Sequence, residues 1–373
     1  MNRKLMAAVC FAVVCITLSL GLWPFRAPRN QVAWMQQADG LELGKYGTVL
    51  SSGPLEDGHS WRDPSGSIEI WAQPTRWMSS ATVLALYRPE QGVLVTLRQS
   101  LTDLELVSET SDNSNRPIRR HFYVADAFAP ALQRKKPVFI AVTVGPRGTI
   151  VYLDGRLARG VPGLWIPAQA FSGRVILGDS ARQPDSFRGQ IRGLAIYSSE
   201  LNGEQVFEHY RNWTHSGSPE VQPDPQCLAL YLFTERTGRV AHNQARAKGD
   251  LLIPERYMVI DKIALEPFWK EFNFSESYWS GNLKNIIGFI PLGFCFFAYF
   301  GASPSHTHAL RWTFVVGLLV SVAIEVFQAY LPSRDSGTTD IFTNVLGTYL
   351  GVLCYQHVYR EIIHRFPQVG WFA

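Results

Sequence analysis

Sulfur is scarce in this sequence. Only five cysteines occur in 373 residues, and Cys10, Cys15, Cys295 and Cys354 stand inside apolar runs. Cys227 is alone in the more polar middle, so no disulfide framework can be built there. It reads as a small buried thiol. No lipobox precedes Cys10 or Cys15. Named catalytic patterns are also missing: there is no HExxH, no GxSxG, no phosphate-cradling GxxxxGK[ST] and no CxxC zinc pair. Charge of one sign is modest, at +4 overall. Arg119, Arg120, Arg134, Lys135 and Lys136 are local pairs and triplets that read as a solvated loop face. They give no footprint for a nucleic-acid partner. Inverted repeats are lacking too, which weakens a transporter reading.

Long apolar runs are present. Leu5–Trp23, Leu283–Phe300, Ala309–Leu331 and Ile341–Val358 each have the length of a bilayer span. Arg3 and Lys4 put the N-terminus in the cytoplasm. His306, His308 and Arg311, and then Arg360, His364 and Arg365, fall on the same side in a four-span chain. The middle, about residues 26–280, is then extracytoplasmic, and the chain is expected in the plasma membrane. The first run lacks a small-x-small cleavage site and reads as an anchor.

From about Gln31 to Trp213 the pattern is β: short runs separated by turn residues. Strands are expected at Ser67–Ala72, Thr82–Tyr87, Val93–Arg98, Leu101–Val107, Val138–Val144, Thr149–Leu153, Arg174–Leu177 and Gln190–Tyr197. Asp154-Gly155 is a tight hairpin turn. A helix is expected at Glu204–Trp213. A second hairpin is expected from Leu228–Phe233 and Arg239–Asn243. Many short antiparallel strands without repeated helices point to a two-sheet sandwich. Asp103 and Glu105 alternate on a strand face that reads as solvated, and Glu69 stands alone between Ile68 and Ile70.

Three stretches carry a resemblance. Gly66–Pro74, Tyr152-Leu153-Asp154-Gly155 and Phe187–Tyr197 with its trailing Leu201–Tyr210 resemble, in order, the laminin-G-like, concanavalin A-like jelly roll. The resemblance implies a binding module for glycan or protein, sometimes with calcium. Asp154, Asp179 and Asp185 could supply oxygen ligands to calcium, but turn formation is the preferred reading of them. No other cofactor is expected. Retaining glycosidases need two carboxylates roughly 5 Å apart, and no such pair is legible, so hydrolysis by this domain is not expected.

The most informative stretch is Ser321–Gly351. Ser321, Glu325 and Gln328 share a helix face at i, i+4, i+7. Asp340, Asn344, Gly347 and Gly351 form a second stripe, and Arg334 and Asp335 sit between them. An acid inside a membrane helix costs on the order of a few kcal/mol, so it usually faces the bundle interior or water. Together with Asn285–Gly293 (NxxxFxPxG), this ordered set resembles the VanZ-like membrane family. The resemblance implies association with the cell envelope, and the family's type member is linked to low-level teicoplanin resistance. It implies no reaction.

The expected layout is a first span at 1–25, a β-sandwich at 26–255, an interfacial linker at 256–281, a three-span VanZ-like part at 282–360 and a cytoplasmic tail at 361–373. The fold class is an antiparallel β-sandwich plus an α-helical bundle of four spans. Asn285, Ser321, Glu325, Gln328, Arg334, Asp340 and Asn344 are the candidate site residues. Two readings compete. One is a non-enzymatic envelope protein displaying a glycan- or protein-binding sandwich. The other is a membrane enzyme acting on a lipid-linked wall precursor, with Glu325 or Asp340 as acid/base and Arg334 holding an anionic head group. Membrane lipids are partners in both.

Overall fold

A computed structural model describes residues 3–55, 65–77, 79–89, 91–111, 117–164, 166–167, 170–215, 226–245, 249–272, 274, 276–302 and 308–365. Most of the Pro/Ser-rich connection at 215–226, the basic-loop residue His306 and the tail beyond Arg365 lie outside these residues. The chain divides into two compact units. One is Pro28–Asp261. The other joins Met1–Ala27 to Lys262–Ala373.

The first unit is a β-sandwich. Its strands are β1 (Val32–Trp34), β2 (Leu41–Leu43), β3 (Val49–Ser51), β4 (Gly66–Pro74), β5 (Ser80–Arg88), β6 (Gly92–Ser100), β7 (Asp103–Ser111), β8 (Pro117–Val124), β9 (Val138–Gly145), β10 (Gly148–Leu153), β11 (Arg156–Val161), β12 (Arg174–Leu177), β13 (Gly189–Tyr197), β14 (Cys227–Tyr231), β15 (Val240–Ala241) and β16 (Leu251–Leu252). One sheet runs β1-β2-β13-β4-β9-β10-β11, with β14 also on β13. The other runs β15-β16-β3-β12-β5-β6-β7-β8. Every pairing between these named strands is antiparallel. The core between the sheets is aliphatic and aromatic, with Ile68, Ile70, Leu84, Leu86, Leu97, Leu106, Val142, Phe171, Phe187 and Ile196 all buried.

Local chemistry explains the sequence signals. Asp154 (φ 48°) and Gly155 (φ 72°) both occupy the left-handed region, as the two-residue hairpin turn between β10 and β11 requires. Among its described residues this unit has two helices, α2 (Ala129–Arg134) and α3 (Gly203–His215); α1 (Arg3–Leu22) belongs to the other unit. Asn202 caps α3. Its side-chain oxygen accepts the N–H groups of Glu204 and Gln205, and Gln205 returns a bond to the Asn202 N–H, a reciprocal capping box. α3 then covers the outer face of the first sheet. Val206 and Trp213 close a second core with Trp71, Phe139, Tyr152, Ala195 and Tyr197. This is why all nine residues of β4 are buried instead of every second one.

Three expectations change here. The stretch containing Arg119 and Arg120 is strand β8, paired to β7. Glu105 is buried, only 5% exposed, because charged and hydroxyl groups converge on it from neighbouring strands. Leu228–Phe233 and Arg239–Asn243 do not pair with each other: β14 joins β13, whereas β15 joins β16 and through it β3. Phe233, Arg236 and Gly238 all have positive φ, and the chain turns from one sheet to the other.

The second unit is helical: α1, α4 (Phe268–Glu271), α5 (Glu276–Gly301), α6 (Ala309–Gln328) and α7 (Thr338–Arg365). Among the described residues, three helices are long and apolar enough to cross a membrane: Arg3–Leu22, Tyr278–Gly301 and Ala309–Gln328. The fourth expected span, Ile341–Val358, differs. It lies in the 28-residue α7, where Asn344, Gln356 and His357 dilute the apolar run. α7 packs tightly on α5 through small residues. A Cβ on Gly347 would strike the Ile286 carbonyl oxygen, one on Gly351 the Ile290 carbonyl oxygen, and one on Gly293 the Thr348 carbonyl oxygen. Such close backbone approach is the usual role of small residues in helix pairs. Gly288 meets nothing within 4 Å and takes no part in it. Pro291 sits inside α5, which continues to Gly301.

Candidate functional site

In the helical unit, the expected polar residues fall into three groups. Asn344 Nδ2 donates to Ser321 Oγ at 3.0 Å, joining α7 to α6. Glu325 Oε2 accepts the Gly337 N–H at 2.9 Å, and Ser336 Oγ donates to the Glu325 carbonyl at 2.8 Å. Asn285 hydrogen-bonds Asp340, and Arg334 and Glu271 are near enough to act on Asp340 electrostatically. Gln328 and Arg334 turn elsewhere. Gln328 Nε2 donates to the Gly21 carbonyl at 2.8 Å, and Arg334 donates to the carbonyls of Leu20 and Trp23. Among the described residues no ion pair joins Arg334 to Glu325 or Asp340. Asn344 Oδ1 and Gln328 Oε1 are buried without a hydrogen-bond partner.

The sequence reading missed three residues of this network. Lys262 donates its ammonium to the carbonyls of Gln328 and Leu331, where a cation complements the helix dipole. Burial draws Lys262 down to about 8, against the opposing charges of Asp335 and Glu325. Glu271 Oε2 accepts the N–H of Thr339 at 2.9 Å and its hydroxyl. Glu266 exchanges backbone bonds with Ser336 and Thr338. The available signal was a run of acids among dense aromatics directly before a span. This network ties the connection between α6 and α7 to the segment before α5.

In the β unit, the second sheet carries a polar row on the side away from the core. Thr82, Arg98, Glu105 and Tyr123 stand directly opposite one another across β5, β6, β7 and β8. His121 Nδ1 lies 2.7 Å from Glu105 Oε1, and the Tyr123 hydroxyl donates to the same oxygen at 2.8 Å. Arg98 reaches Asp185 at 3.1 Å and Glu105 at 3.8 Å. Thr82 Oγ1 donates to Asp185 at 2.6 Å. Burial alone would raise the Glu105 carboxyl; the His121 hydrogen bond, the Arg98 charge and the Tyr123 hydroxyl outweigh it and hold the carboxyl below its ordinary value. Tyr123 is pushed up to about 12, by burial first and then by the adjacent carboxylate. His121 and Tyr123 keep exposed edges, Tyr123 at 42%.

Glu69 is not alone. It is fully buried under α3, with His209 Nδ1 3.0 Å from both carboxylate oxygens and the Tyr197 hydroxyl at 3.1 Å. Burial raises its pKa, opposed by those same partners. The calcium candidates are engaged within the protein. Asp154 accepts the Phe139 N–H. Asp179 accepts from the N–H groups of Ser180 and Asp185 and from Ser186 Oγ. Asp185 is held by Thr82 and Arg98. Among the described residues no group of three or more His, Cys, Asp or Glu side chains is placed to hold a metal ion.

Comparisons with known proteins find two families along the chain. The concanavalin A-like lectin/glucanases superfamily model (laminin G 3) matches residues 47–207, and the VanZ/LLP1 model matches residues 227–360. The chain joins a concanavalin A-like segment to a VanZ-like one. It is a membrane protein with a lectin-like β-sandwich. The VanZ-like match is longer than the motif resemblance, since it opens at β14. Solved structures similar to the chain include the binding domain of Paraclostridial Mosquitocidal Protein 1 (11% identity, TM-score 0.37, 50% of this chain and 47% of that one). Others are a putative carbohydrate binding protein from Bacteroides ovatus (12%, 0.36, 60% and 58%) and the Botulinum neurotoxin serotype D ligand binding domain in complex with N-acetylneuraminic acid (14%, 0.37, 58% and 59%). The chain spans about half the length of the first of these. No curated protein matches the chain.

Proposed function

We propose that this protein is a plasma-membrane protein of the cell envelope whose β-sandwich faces away from the cytoplasm and binds glycan. The observation that carries the reading is the polar row Thr82–Arg98–Glu105–Tyr123. It offers donors and acceptors fixed by one another, bordered by a half-exposed aromatic ring, on a concanavalin A-like sheet. A sugar needs this combination: an apolar ring face to stack on and oriented polar groups for its hydroxyls. Residues 28–261, purified and passed over immobilised envelope glycans, are expected to be retained. Tyr123→Ala and Arg98→Ala are each expected to weaken retention by about tenfold or more, a loss of roughly 1.4 kcal/mol. Absence of retention, or variants that bind as the parent does, would refute the reading.

The orientation has its own check. A cysteine placed at Gly160, exposed on β11 with open space around it, is expected to react with an impermeant reagent in intact cells, in a background without native cysteines. Reaction only after permeabilisation refutes it. A part in teicoplanin resistance would follow from the VanZ-like segment, and a susceptibility assay on a deletion strain tests it.

The enzyme reading, with Glu325, Asp340 and Arg334 acting on a lipid-linked wall precursor, draws less support. Glu325 is occupied by a backbone N–H, and Arg334 is occupied by carbonyls at the end of α1. Turnover of labelled lipid-linked precursors by the purified protein would reverse this preference.

A further inference from the structure

The basic residues of the sandwich gather where its two sheets end. Residues 117–161 hold eight Lys and Arg against two acids, Asp126 and Asp154, whereas the excess over the whole chain is only four. All eight cations are exposed. β11 ends the first sheet and β8 ends the second, so a seam runs between two edge strands. Arg159 stands opposite Val151 and Arg156 opposite Leu153, residues that pack on the inter-sheet core. Both arginines therefore leave β11 on the side of the seam. Arg120 alternates with the core residue Phe122 on β8 and leaves that strand on the same side.

These arginines also hold the seam together. Arg159 lies over the Phe122 ring, 4.7 Å from its centroid, and donates to the Tyr123 carbonyl at 2.7 Å. Arg120 donates to the Gly163 carbonyl at 2.5 Å. Each bond uses one nitrogen of a group with five N–H donors and leaves the others for a ligand. The line of cations continues at one end. Phe139 and Asp154 exchange hydrogen bonds, which brings the end of α2, with Arg134, Lys135 and Lys136, to the corner where Arg156 opens β11. The acids around the seam are engaged elsewhere. Asp154 accepts the Phe139 N–H, Asp126 the Thr102 hydroxyl and Asp103 the Asp126 N–H. Glu109 pairs with Arg119 and Arg182, and Glu105 with His121 and Arg98. Glu204 and Glu208 belong to α3, over the outer face of the first sheet. Among the described residues Arg120, Arg134, Lys135, Lys136, Arg156 and Arg159 form no ion pair.

We propose that the seam binds a linear glycan carrying an anionic group, such as a carboxylate or sulfate, on successive units. From Arg156 to Gly163 the line is about 20 Å long at ~3.3 Å per strand residue, and it matches a chain of repeated anions, which arginine forks grip through paired oxygens. The row Thr82–Arg98–Glu105–Tyr123 makes no such choice, since its one arginine is held between Glu105 and Asp185. This deepens the glycan reading and rests on it: Arg159 holds the Tyr123 carbonyl, so a chain stacked on the Tyr123 ring runs on across β8 into the seam.

The test uses the full chain in phosphatidylcholine nanodiscs, titrated with labelled dextran sulfate, polygalacturonate and neutral dextran. Both acidic polymers are expected to bind about tenfold or more tighter than dextran at low salt, and to weaken by about tenfold as salt rises from about 50 to about 300 mM. Arg134→Gln, Lys136→Gln and Arg156→Gln together are expected to weaken acidic-polymer binding by about tenfold or more. Lys45→Gln, Arg211→Gln and Arg239→Gln remove the same charge from other exposed positions and are expected to change it by less than about twofold. Equal losses in the two triple variants mean bulk charge and overturn the proposal. Tighter binding to phosphatidylglycerol vesicles than to either acidic polymer means a bilayer partner and overturns it too. Tyr123→Ala separates this proposal from the reading it rests on. If Tyr123→Ala weakens binding and the first triple variant does not, the row stands and the seam falls; if the first triple variant weakens binding and Tyr123→Ala does not, the seam stands and the row falls. Should the first triple variant melt below the parent, the parent's own preference decides, and equal binding of dextran and the acidic polymers overturns the proposal.

Discussion

Replacing Asp179 with Asn separates a structural carboxylate from a metal ligand. Asp179 is fully buried and pushed up to about 7, by desolvation first, despite the hydrogen bonds it accepts. A carboxyl moved from 3.8 to about 7 corresponds, at about 1.4 kcal/mol per pKa unit, to a ceiling of roughly 4 kcal/mol. The sign follows from proton binding. Between about pH 4 and pH 7 the folded protein holds this proton more tightly than the unfolded chain does. Stability therefore falls as pH rises through that window. An amide keeps an oxygen for the Ser180 and Asp185 N–H groups and has a donor for Ser186, but never has to ionise. Asp179→Asn is expected to match the parent near pH 4.5 and exceed it at pH 8 by about 1–3 kcal/mol, the ceiling reduced for lost charge-assisted bonds. Urea unfolding of residues 28–261 at several pH values, with and without calcium, measures this. A variant less stable at pH 8, or a parent whose midpoint rises with calcium while the variant's does not, would refute the argument and restore Asp179 as a cation ligand.

Other outcomes follow from the helical unit. Gly347→Ala places a methyl against the Ile286 carbonyl oxygen and is expected to lower the detergent melting temperature of the full chain, with a cost of about 1–3 kcal/mol; Gly288→Ala, in open space, is expected to change it little. Glu325→Gln keeps an acceptor for the Gly337 N–H and is expected to melt as the parent does. Glu325→Leu strands that N–H and is expected to cost about 1–3 kcal/mol. If Glu325→Gln melts normally yet abolishes an envelope phenotype, the site is functional as well as structural.

The sandwich was legible because its signals are local. The Asp154-Gly155 turn and the apolar runs of β4 and β9 each sit within a few residues. The polar row was not legible, because Thr82, Arg98, Glu105 and Tyr123 meet only through strand register, and Glu105 alone looks like any solvated strand acid. Glu69 and His209 are 140 residues apart, and nothing in either neighbourhood points to the other. In the helical unit, helix spacing correctly put Ser321 and Glu325 on a common, buried face. It could not show that Arg334 turns to α1, because a connecting loop has no periodicity from which to read direction. Lys262 and Glu271 were hidden by their place in a stretch read only as an interfacial linker.

The last strands of the sandwich carry a consequence for synthesis. β14, β15 and β16 lie within 227–360, the segment matched by the VanZ/LLP1 model, yet they complete both sheets: β14 on β13, β16 on β3. A ribosome that has finished the lectin-like match at 207 has not made a closed sandwich. Until residue 252 emerges, the unmatched lengths of β13 and β3 present unpaired backbone edges, the kind that seed aggregation. Cutting the gene between the two matched segments should therefore yield an insoluble product, and grafting this sandwich onto another anchor requires carrying some of the neighbouring segment with it.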